Sequence, residues 1–267
     1  MKHLLADAQC LIVKIGSALL VDHDGVIRRE WLASLLFDVV QYWRAGRRVI
    51  IVSSGAIALG RRRMQFHHNP LKLEEKQASA AVGQIQLAHA YQEMLAEHGI
   101  TVGQILLTLD DSEHHERYTN AQNTLETLLT MRAIPVINEN DTVATAEIRF
   151  GDNDRLAALV AKMVRADTLV LLSDIDGFYT ANPQLNPQAT LIPEVSALTP
   201  EILALAGDSA TAFGSGGMIT KLAAAKIALA SGCRMVIAAG KPLHPLAAID
   251  QTEKKTWFIP DNAVRSS

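Results

Sequence analysis

The sequence has few cysteines, and its first residues do not have the pattern expected of an export signal. Only 2 of its 267 residues are cysteines, which excludes a disulfide-rich scaffold, and a chain of this length buries a core without cross-links. Cys10 and Cys233 stand beside apolar runs, so we expect both to be small buried side chains. The segment 1–9 lacks the apolar stretch of an export signal, which favours a reducing cytoplasm.

Neither the charge nor the hydropathy favours a nucleic acid or a membrane as a partner. With 25 basic and 28 acidic side chains, the formal net charge is −3, so the chain lacks an overall electrostatic footprint for nucleic acid. No apolar run reaches the roughly 18 residues that a membrane-spanning helix needs. A hydrophobic content of 49% is typical of a globular chain and excludes disorder as its dominant state.

Short apolar runs alternate with longer amphipathic stretches. The runs span residues 11–13, 49–52, 105–107, 134–137, 169–172 and 235–238. Most of them are rich in Val, Ile and Leu without alternation, as in strands buried on both faces of a parallel sheet. The stretches in which apolar residues recur at helical spacing are 29–45, 73–98, 119–132, 153–165 and 217–231. Gly46, Gly99 and Gly232 follow three of these stretches, where helices commonly end.

This alternation predicts an α/β fold with an open, mainly parallel sheet and helices on both faces. The segment 179–193 carries Asn-Pro pairs at 182–183 and 186–187, so we expect it to leave the sheet through turns. A division into two lobes is expected near Ala166.

The residues that follow the apolar runs are the candidates for a ligand site, because ligands of open α/β sheets bind beyond the carboxyl ends of the strands. They lie at 14–17, 53–56, 138–142, 173–177 and 239–241. Lysine, glycine, hydroxyl, Asn and Asp residues are present among them, and His and Cys are absent. This set suits an anionic ligand better than a metal hydrolase or a thiol enzyme, and it predicts no protein metal site.

Two glycine-bearing segments precede helices, where free N–H groups and the helix dipole attract carboxylates or phosphates. The first, 53–56, is equally well explained by an N-cap and a tight turn. The second, 214–221, ends at Lys221, and a flexible loop explains it equally well. Residues 55–62 are not a P-loop, since they lack its Lys and its Ser or Thr.

Two patterns that suggest metals have simpler explanations. The sequence 174–177 has its glycine too early for a calcium loop and no closing Glu. The histidine pairs at 67–68 and 114–115 lack partners at metal-ligand spacing, so we expect them at the surface.

Several motifs, taken in chain order, resemble the amino acid kinase family. They are Lys14-Ile-Gly-Ser, Ser53-Ser-Gly-Ala, Asn138-Glu-Asn-Asp, Gly151-Asp-Asn-Asp, Ser173-Asp with Gly177-Phe-Tyr-Thr, and the segment 214–221. The similarity runs from about residue 10 to residue 260. The stretch NENDTVATAEI from Asn138, with GDND after it, is the most specific part, and it is similar to the members of the family that phosphorylate L-glutamate.

The resemblance implies a three-layer αβα sandwich as a single kinase domain over 1–267, with a glutamate-binding lobe at about 1–165 and an ATP-binding lobe at about 166–267. It implies ATP- and Mg²⁺-dependent phosphorylation of the γ-carboxylate of L-glutamate, the first step of proline synthesis. It further implies feedback inhibition by L-proline at the glutamate site. We expect a homo-oligomer, a dimer or tetramer, and the kinase unit alone, without the C-terminal PUA module of many relatives.

The resemblance also implies residue roles. Lys14 and Lys221 would grip the phosphates from opposite sides, and Asp154 would orient both lysines. The glutamate contacts implied are Ser54, Gly55, Ala56, Asp141 and Asn153. The ATP contacts implied are Lys14, Gly16, Ser173, Asp174, Ser215, Gly216, Gly217, Met218, Ile219, Thr220 and Lys221. Ser173 and Ser215 stand where the family often has Thr, and Asn182 stands where it often has Asp.

Two other functions remain open on the sequence alone. One is a related kinase acting on acetylglutamate, aspartate, carbamate or a nucleoside monophosphate; the NEND and GDND motifs favour glutamate over these. The other is a non-catalytic amino-acid sensor or storage protein on the same fold; the presence of both Lys14 and Lys221 favours catalysis. RNA binding is the least favoured function, given the charge.

Overall fold

A computed structural model describes residues 3–68, 70–143, 152–207 and 217–261. The strands are β1 (Cys10–Ile15), β2 (Arg48–Val52), β3 (Val102–Leu107), β4 (Ile134–Glu139), β5 (Thr168–Ser173), β6 (Phe178–Tyr179), β7 (Leu191–Ile192), β8 (Glu194–Val195), β9 (Arg234–Ala239) and β10 (Lys255–Phe258). The α-helices are α1 (Ser17–Leu20), α2 (Arg29–Arg44), α3 (Ala56–Arg63), α4 (Leu73–Ala96), α5 (His115–Thr130), α6 (Asn153–Met163), α7 (Pro200–Gly207), α8 (Met218–Ala230) and α9 (Pro245–Gln251).

One eight-stranded sheet runs through the molecule in the order β3-β4-β2-β1-β5-β9-β10-β8. Its pairs are parallel except β9 with β10. All six strands predicted from the apolar runs are present, which confirms the predicted mainly parallel sheet. Strand β10 was missed because its first residues, Lys255 and Thr256, are polar and its apolar part is short.

One of the six predicted strands does not have the predicted environment. β3 lies at an edge of the sheet, and Gln104 and Leu106 on it are exposed. The interpretation of most runs as strands buried on both faces therefore does not hold for β3. The physical reason is that three consecutive apolar residues do not distinguish an edge strand from a central one.

The two faces of the sheet bury separate apolar clusters. Leu11 and Val13 of β1 pack in the cluster that contains residues of α2, α4 and α9. Cys10 and Ile12 pack in the other, with residues of α5, α6 and α8. Helices thus cover both faces, which confirms the αβα sandwich. Because side chains alternate along a strand, Lys14 of β1 is directed to the same face as Ile12, toward α6 and α8.

The predicted ends of the helices and the predicted excursion are also present. Gly46, Gly99 and Gly232 have φ values of +82°, +71° and +75°, the left-handed conformation that commonly ends a helix. The segment after β5 pairs β6 with β7 as a separate two-stranded sheet. Within it, Asn182 Oδ1 accepts a hydrogen bond from the Gln184 N–H at 2.9 Å, the side-chain turn that such a residue favours.

Helices α3 and α4 approach one another at two glycines. A Cβ on Gly60 would lie 1.7 Å from the Ser79 carbonyl oxygen, and a Cβ on Gly83 would lie 1.8 Å from that of Ala56. Both oxygens belong to helix backbones, so neither can move aside cheaply. The absence of side chains at Gly60 and Gly83 therefore fixes α4 against α3. No helix within the described ranges is both long and apolar enough to span a membrane.

We expect Gly83→Ala to lower the free energy of unfolding by about 1–3 kcal/mol, because the added methyl group overpacks the contact between α3 and α4. At an exposed position in a helix the change from Gly to Ala is stabilising by up to about 1 kcal/mol. The sign of the change in stability therefore tests whether α3 and α4 are in close contact at Gly83. Urea denaturation of the two proteins measures it. The exposed Gln86→Ala on the same helix is the control, expected within about 0.5 kcal/mol of wild type. Unchanged or increased stability of Gly83→Ala would contradict the packing.

Candidate active site

Three charged side chains meet at the carboxyl end of β1. Lys14 is in β1, Asp154 is in the first turn of α6, and Lys221 is in the first turn of α8. Lys14 Nζ lies 2.8 Å from Asp154 Oδ1, and Lys221 Nζ lies 3.1 Å from Asp154 Oδ2. All three are buried, with exposures of 7%, 1% and 3%. A single carboxylate therefore holds two lysines from elements far apart in sequence.

Asp154 is ionised in this cluster. Burial acts to raise its pKa, but the charges of Lys14 and Lys221 outweigh burial and lower the pKa to about 2. Thr220 adds a hydrogen bond from its hydroxyl to Asp154 Oδ2 at 2.9 Å. The carboxylate thus stays negative at any physiological pH and keeps both ammonium groups in place.

The loop after β2 presents a hydroxyl and a helix N-terminus to the same edge of the sheet. Gly55 has a φ of +100°, and an added Cβ would lie 2.9 Å from Val21 Cγ2, so only glycine fits there without strain. Within the described residues no side chain caps the following helix, which leaves first-turn N–H groups for a ligand. Ser54 Oγ accepts a hydrogen bond from Asn153 Nδ2 at 3.0 Å. The 53–56 loop and the start of α6 are thereby joined.

The end of β4 places two carboxyl groups close in sequence. Glu139 and Asp141 are 4% and 7% exposed. Burial, assisted by the negative charge of Glu139, raises the pKa of Asp141 to about 7. This carboxyl therefore titrates near neutrality, in contrast to Asp154. Sequence reasoning assigned Asp141 a role and left Glu139 without one, although Glu139 lies inside the quoted motif.

The residues predicted to contact ATP lie at the ends of β1, β5 and α8, as far as the structure describes them. Gly16 follows β1 and donates its N–H to the Leu172 carbonyl of β5 at 3.3 Å. Ser173 Oγ donates to Asp174 Oδ1 at 3.0 Å. Gly217, Met218, Ile219 and Thr220 form the start of α8, with Ile219 58% exposed.

Part of the predicted site lies outside the described residues. Ser215 and Gly216 of the glycine-rich segment fall there, as do residues 144–150, between the NEND and GDND motifs, and Gly151, the first residue of GDND. Where the structure describes the chain, it brings together Lys14, Lys221 and Asp154, and separately Ser54 and Asn153. The roles assigned to these residues remain predictions.

The residues of the sequence patterns that resemble metal sites are exposed or make other contacts in the structure. Both histidine pairs are exposed, as expected. Asp176 Oδ1 accepts a hydrogen bond from the Tyr179 hydroxyl at 2.8 Å, a contact between neighbouring residues of the segment after β5. Among the residues that the structure describes, no group of three His, Cys, Asp or Glu side chains is arranged to hold a metal ion.

The sequence pattern of the amino acid kinase family matches residues 9–239, and two solved structures share the fold. Carbamate kinase from Giardia lamblia bound to AMP-PNP aligns with a TM-score of 0.65 at 17% identity, over 96% of this chain and 100% of that one. UMP kinase from Ureaplasma parvum aligns with a TM-score of 0.63 at 13% identity, over 94% and 98%. The chain belongs to the amino acid kinase family.

Within that family the chain is similar to glutamate 5-kinases. It is 62% identical to that of Paramagnetospirillum magneticum over 98% of this chain and 71% of the relative. It is 58% identical to that of Rhodospirillum rubrum over 96% and 68%, and 57% identical to that of Roseobacter denitrificans over 96% and 69%.

We expect the carboxyl group of Asp141 to titrate near pH 7. Glu139→Gln should move its pKa to a lower value, because the neighbouring negative charge is removed, while burial keeps it above the ordinary range. Carboxyl-carbon NMR between pH 4 and 9 measures both values, with Asp141→Asn identifying the resonance. Titration of Asp141 in the ordinary range near 4 would contradict the effect of burial.

Proposed function

We propose that this protein transfers the γ-phosphoryl group of ATP to the side-chain carboxylate of L-glutamate, giving L-glutamyl 5-phosphate and ADP. The observation that carries the proposal is the Lys14–Asp154–Lys221 cluster, in a chain 54–62% identical to several glutamate 5-kinases. The cluster lies where the carboxyl ends of parallel strands meet, the usual ligand edge of such a sheet.

The reaction needs charge neutralisation more than it needs a base. A glutamate side chain has a pKa of about 4.3, so the attacking carboxylate is already ionised at neutral pH. Its oxygen attacks the γ-phosphorus, and the bond to the β–γ bridging oxygen breaks as ADP leaves with the electron pair. The obstacle is repulsion between the carboxylate and the phosphates. Catalysis of this kind comes from positioning and electrostatic stabilisation.

Lys14 and Lys221 supply that stabilisation. Asp154 fixes both ammonium groups by direct contact, so little reorganisation is needed when negative charge develops on the transferring group. Their burial excludes water, which strengthens each interaction. We assign Lys14, Lys221 and Asp154 as the catalytic residues.

The two substrates would lie on opposite sides of Lys14 along the edge of the sheet. Strands β2 and β4 lie on one side of β1, and β5 and β9 on the other. We assign glutamate to the first side, with Ser54, Gly55, Ala56, Asp141 and Asn153. We assign ATP to the second side, with Ser173, Asp174 and the start of α8. The glutamate and ATP lobes of one kinase domain would then divide near Ala166.

We propose that Mg²⁺ enters as a complex with ATP. Mg²⁺ commonly keeps water and phosphate oxygens as ligands rather than an all-protein cage, and it supplies further charge neutralisation. Both oxygens of Asp154 already face lysine ammonium groups, so this carboxylate suits lysine positioning rather than metal binding. The chain would hold the ion through the phosphates that Lys14 and Lys221 bind.

The expected partners and location are part of the proposal. L-proline, as a feedback inhibitor, would compete at the glutamate side of the site, and the protein would act as a homo-oligomer in proline synthesis. Cys10 and Cys233 are buried free thiols, which fits a reducing cytoplasm.

A panel of acceptors tests the reaction. With ATP and Mg²⁺, trapping by hydroxylamine should give a hydroxamate from L-glutamate, and much less from acetylglutamate or aspartate, because the product is an acyl phosphate. A faster reaction with another acceptor would favour a related kinase. No hydroxamate and no ADP release with any acceptor would favour a non-catalytic binding protein.

We expect Lys221→Met to lower kcat on the order of 10²-fold or more, by analogy with the loss of a single donor to a developing negative charge. The hydroxamate assay under saturating substrates measures it. Lys226→Met, an exposed position on the same helix, is the matched control and should keep wild-type turnover. Near-wild-type turnover of Lys221→Met would contradict its catalytic role.

A further inference from the structure

The polar contacts of α4 lie directly behind the proposed glutamate side of the site. Tyr91 is 0% exposed, and its hydroxyl lies 2.9 Å from Ser53 Oγ. Ser53 is also 0% exposed, and its backbone N–H donates to the Ile137 carbonyl of β4 at 2.8 Å. The residue after Ser53 is Ser54, which contacts Asn153. The Tyr91 hydroxyl therefore contacts the 53–56 loop at Ser53 and reaches Ser54 through this one intermediate residue.

A second contact from α4 reaches the end of β4. Gln84 Oε1 accepts a hydrogen bond from Asn138 Nδ2 at 2.7 Å. The same Asn138 accepts the N–H of Glu139 through its Oδ1 at 2.9 Å. Gln84 thus orients the Asn138 amide, which in turn holds the backbone N–H of Glu139, two residues before Asp141. Both parts of the glutamate side, the loop after β2 and the end of β4, are held from one helix.

Helix α4 is itself immobilised by its backbone contacts. Gly83 lies against Ala56, the first residue of α3, and Gly60 lies against Ser79. On α4, the residues at 79, 83, 87 and 91 recur at a spacing of four, and residue 84 lies three positions before 87, which places them on one side of the helix. This side of α4 therefore holds the loop after β2 in a fixed position.

The contribution to folding stability does not by itself explain the hydrogen bond between the Ser53 and Tyr91 hydroxyls. Replacing both partners of a buried hydrogen bond by apolar groups of the same shape can be nearly neutral for stability or stabilising. A Phe and an Ala would fill the same space beneath the loop. A directional hydrogen bond adds what apolar packing lacks, because it fixes the position of one atom against another.

We propose that Tyr91 and Gln84 are positioning residues for the glutamate side of the active site, acting through Ser53 and Asn138. They touch neither substrate. Their hydrogen bonds hold the ends of β2 and β4 at the spacing that the acceptor carboxylate requires. This inference depends on the proposed phosphorylation of glutamate, since it concerns the geometry of that acceptor.

The proposal is tested by measuring the KM values of Tyr91→Phe for glutamate and for ATP. We expect the KM for glutamate to rise on the order of 10-fold, because small displacements of positioning groups have large effects. The KM for ATP should stay unchanged, because Tyr91 and Gln84 hold β2 and β4, and we place ATP beyond β5. Gln84→Met should give the same asymmetry. Tyr42→Phe, a partly buried tyrosine of α2, is the matched control and should change neither constant.

The double variant Ser53→Ala/Tyr91→Phe separates positioning from folding. It removes both buried hydroxyls, so the unfolding temperature should return toward the wild-type value, while the KM for glutamate stays raised. A KM that recovers together with stability would overturn the inference, as would equal changes in both KM values or none. A wild-type protein that forms no hydroxamate overturns the proposed function instead, and the inference with it.

Discussion

The ion pairs of Asp154 with Lys14 and Lys221 are the interaction on which the rest of the site depends. Burying an ammonium group is costly unless an opposite charge compensates it. Here one carboxylate compensates two lysines from β1 and α8. The sheet provides this arrangement because β1 is central, and α6 and α8 cover the same face. Lys14 is directed to that face by the alternation of side chains along its strand.

The two carboxyl groups proposed to act at this edge have opposite environments. Asp154 is buried among cations, which lower its pKa to about 2. Asp141 is buried beside another acid, and its pKa rises to about 7. Environments that separate the pKa values of like groups are common at functional sites. Asp154 therefore keeps its negative charge at neutral pH. The charge of Asp141 can change when a ligand binds, because its pKa lies near 7.

Much of the fold follows from the sequence pattern. Central parallel strands such as β1 and β5 are buried on both faces, so they appear as uninterrupted apolar runs, and the helices between them keep their spacing. The short elements β10, α1 and α9 have no comparable signal, because their few residues are stabilised by contacts distant in sequence. The exposure of β3 could not be predicted either, since an edge position depends on which strands pair.

The functional site, like the fold, follows partly from the sequence and partly from the tertiary structure. The sequence by itself determined which chemical groups stand at the strand ends, because motifs such as NEND and the lysines at 14 and 221 are local. It also determined the family, through the order of those motifs. Only the tertiary structure decided that Lys14 and Lys221 share Asp154, that Ser54 meets Asn153, and that Tyr91 lies under Ser53. The physical reason is that these contacts join segments as far apart as Lys14 and Asp154, and their distances depend on how strands pair and helices pack.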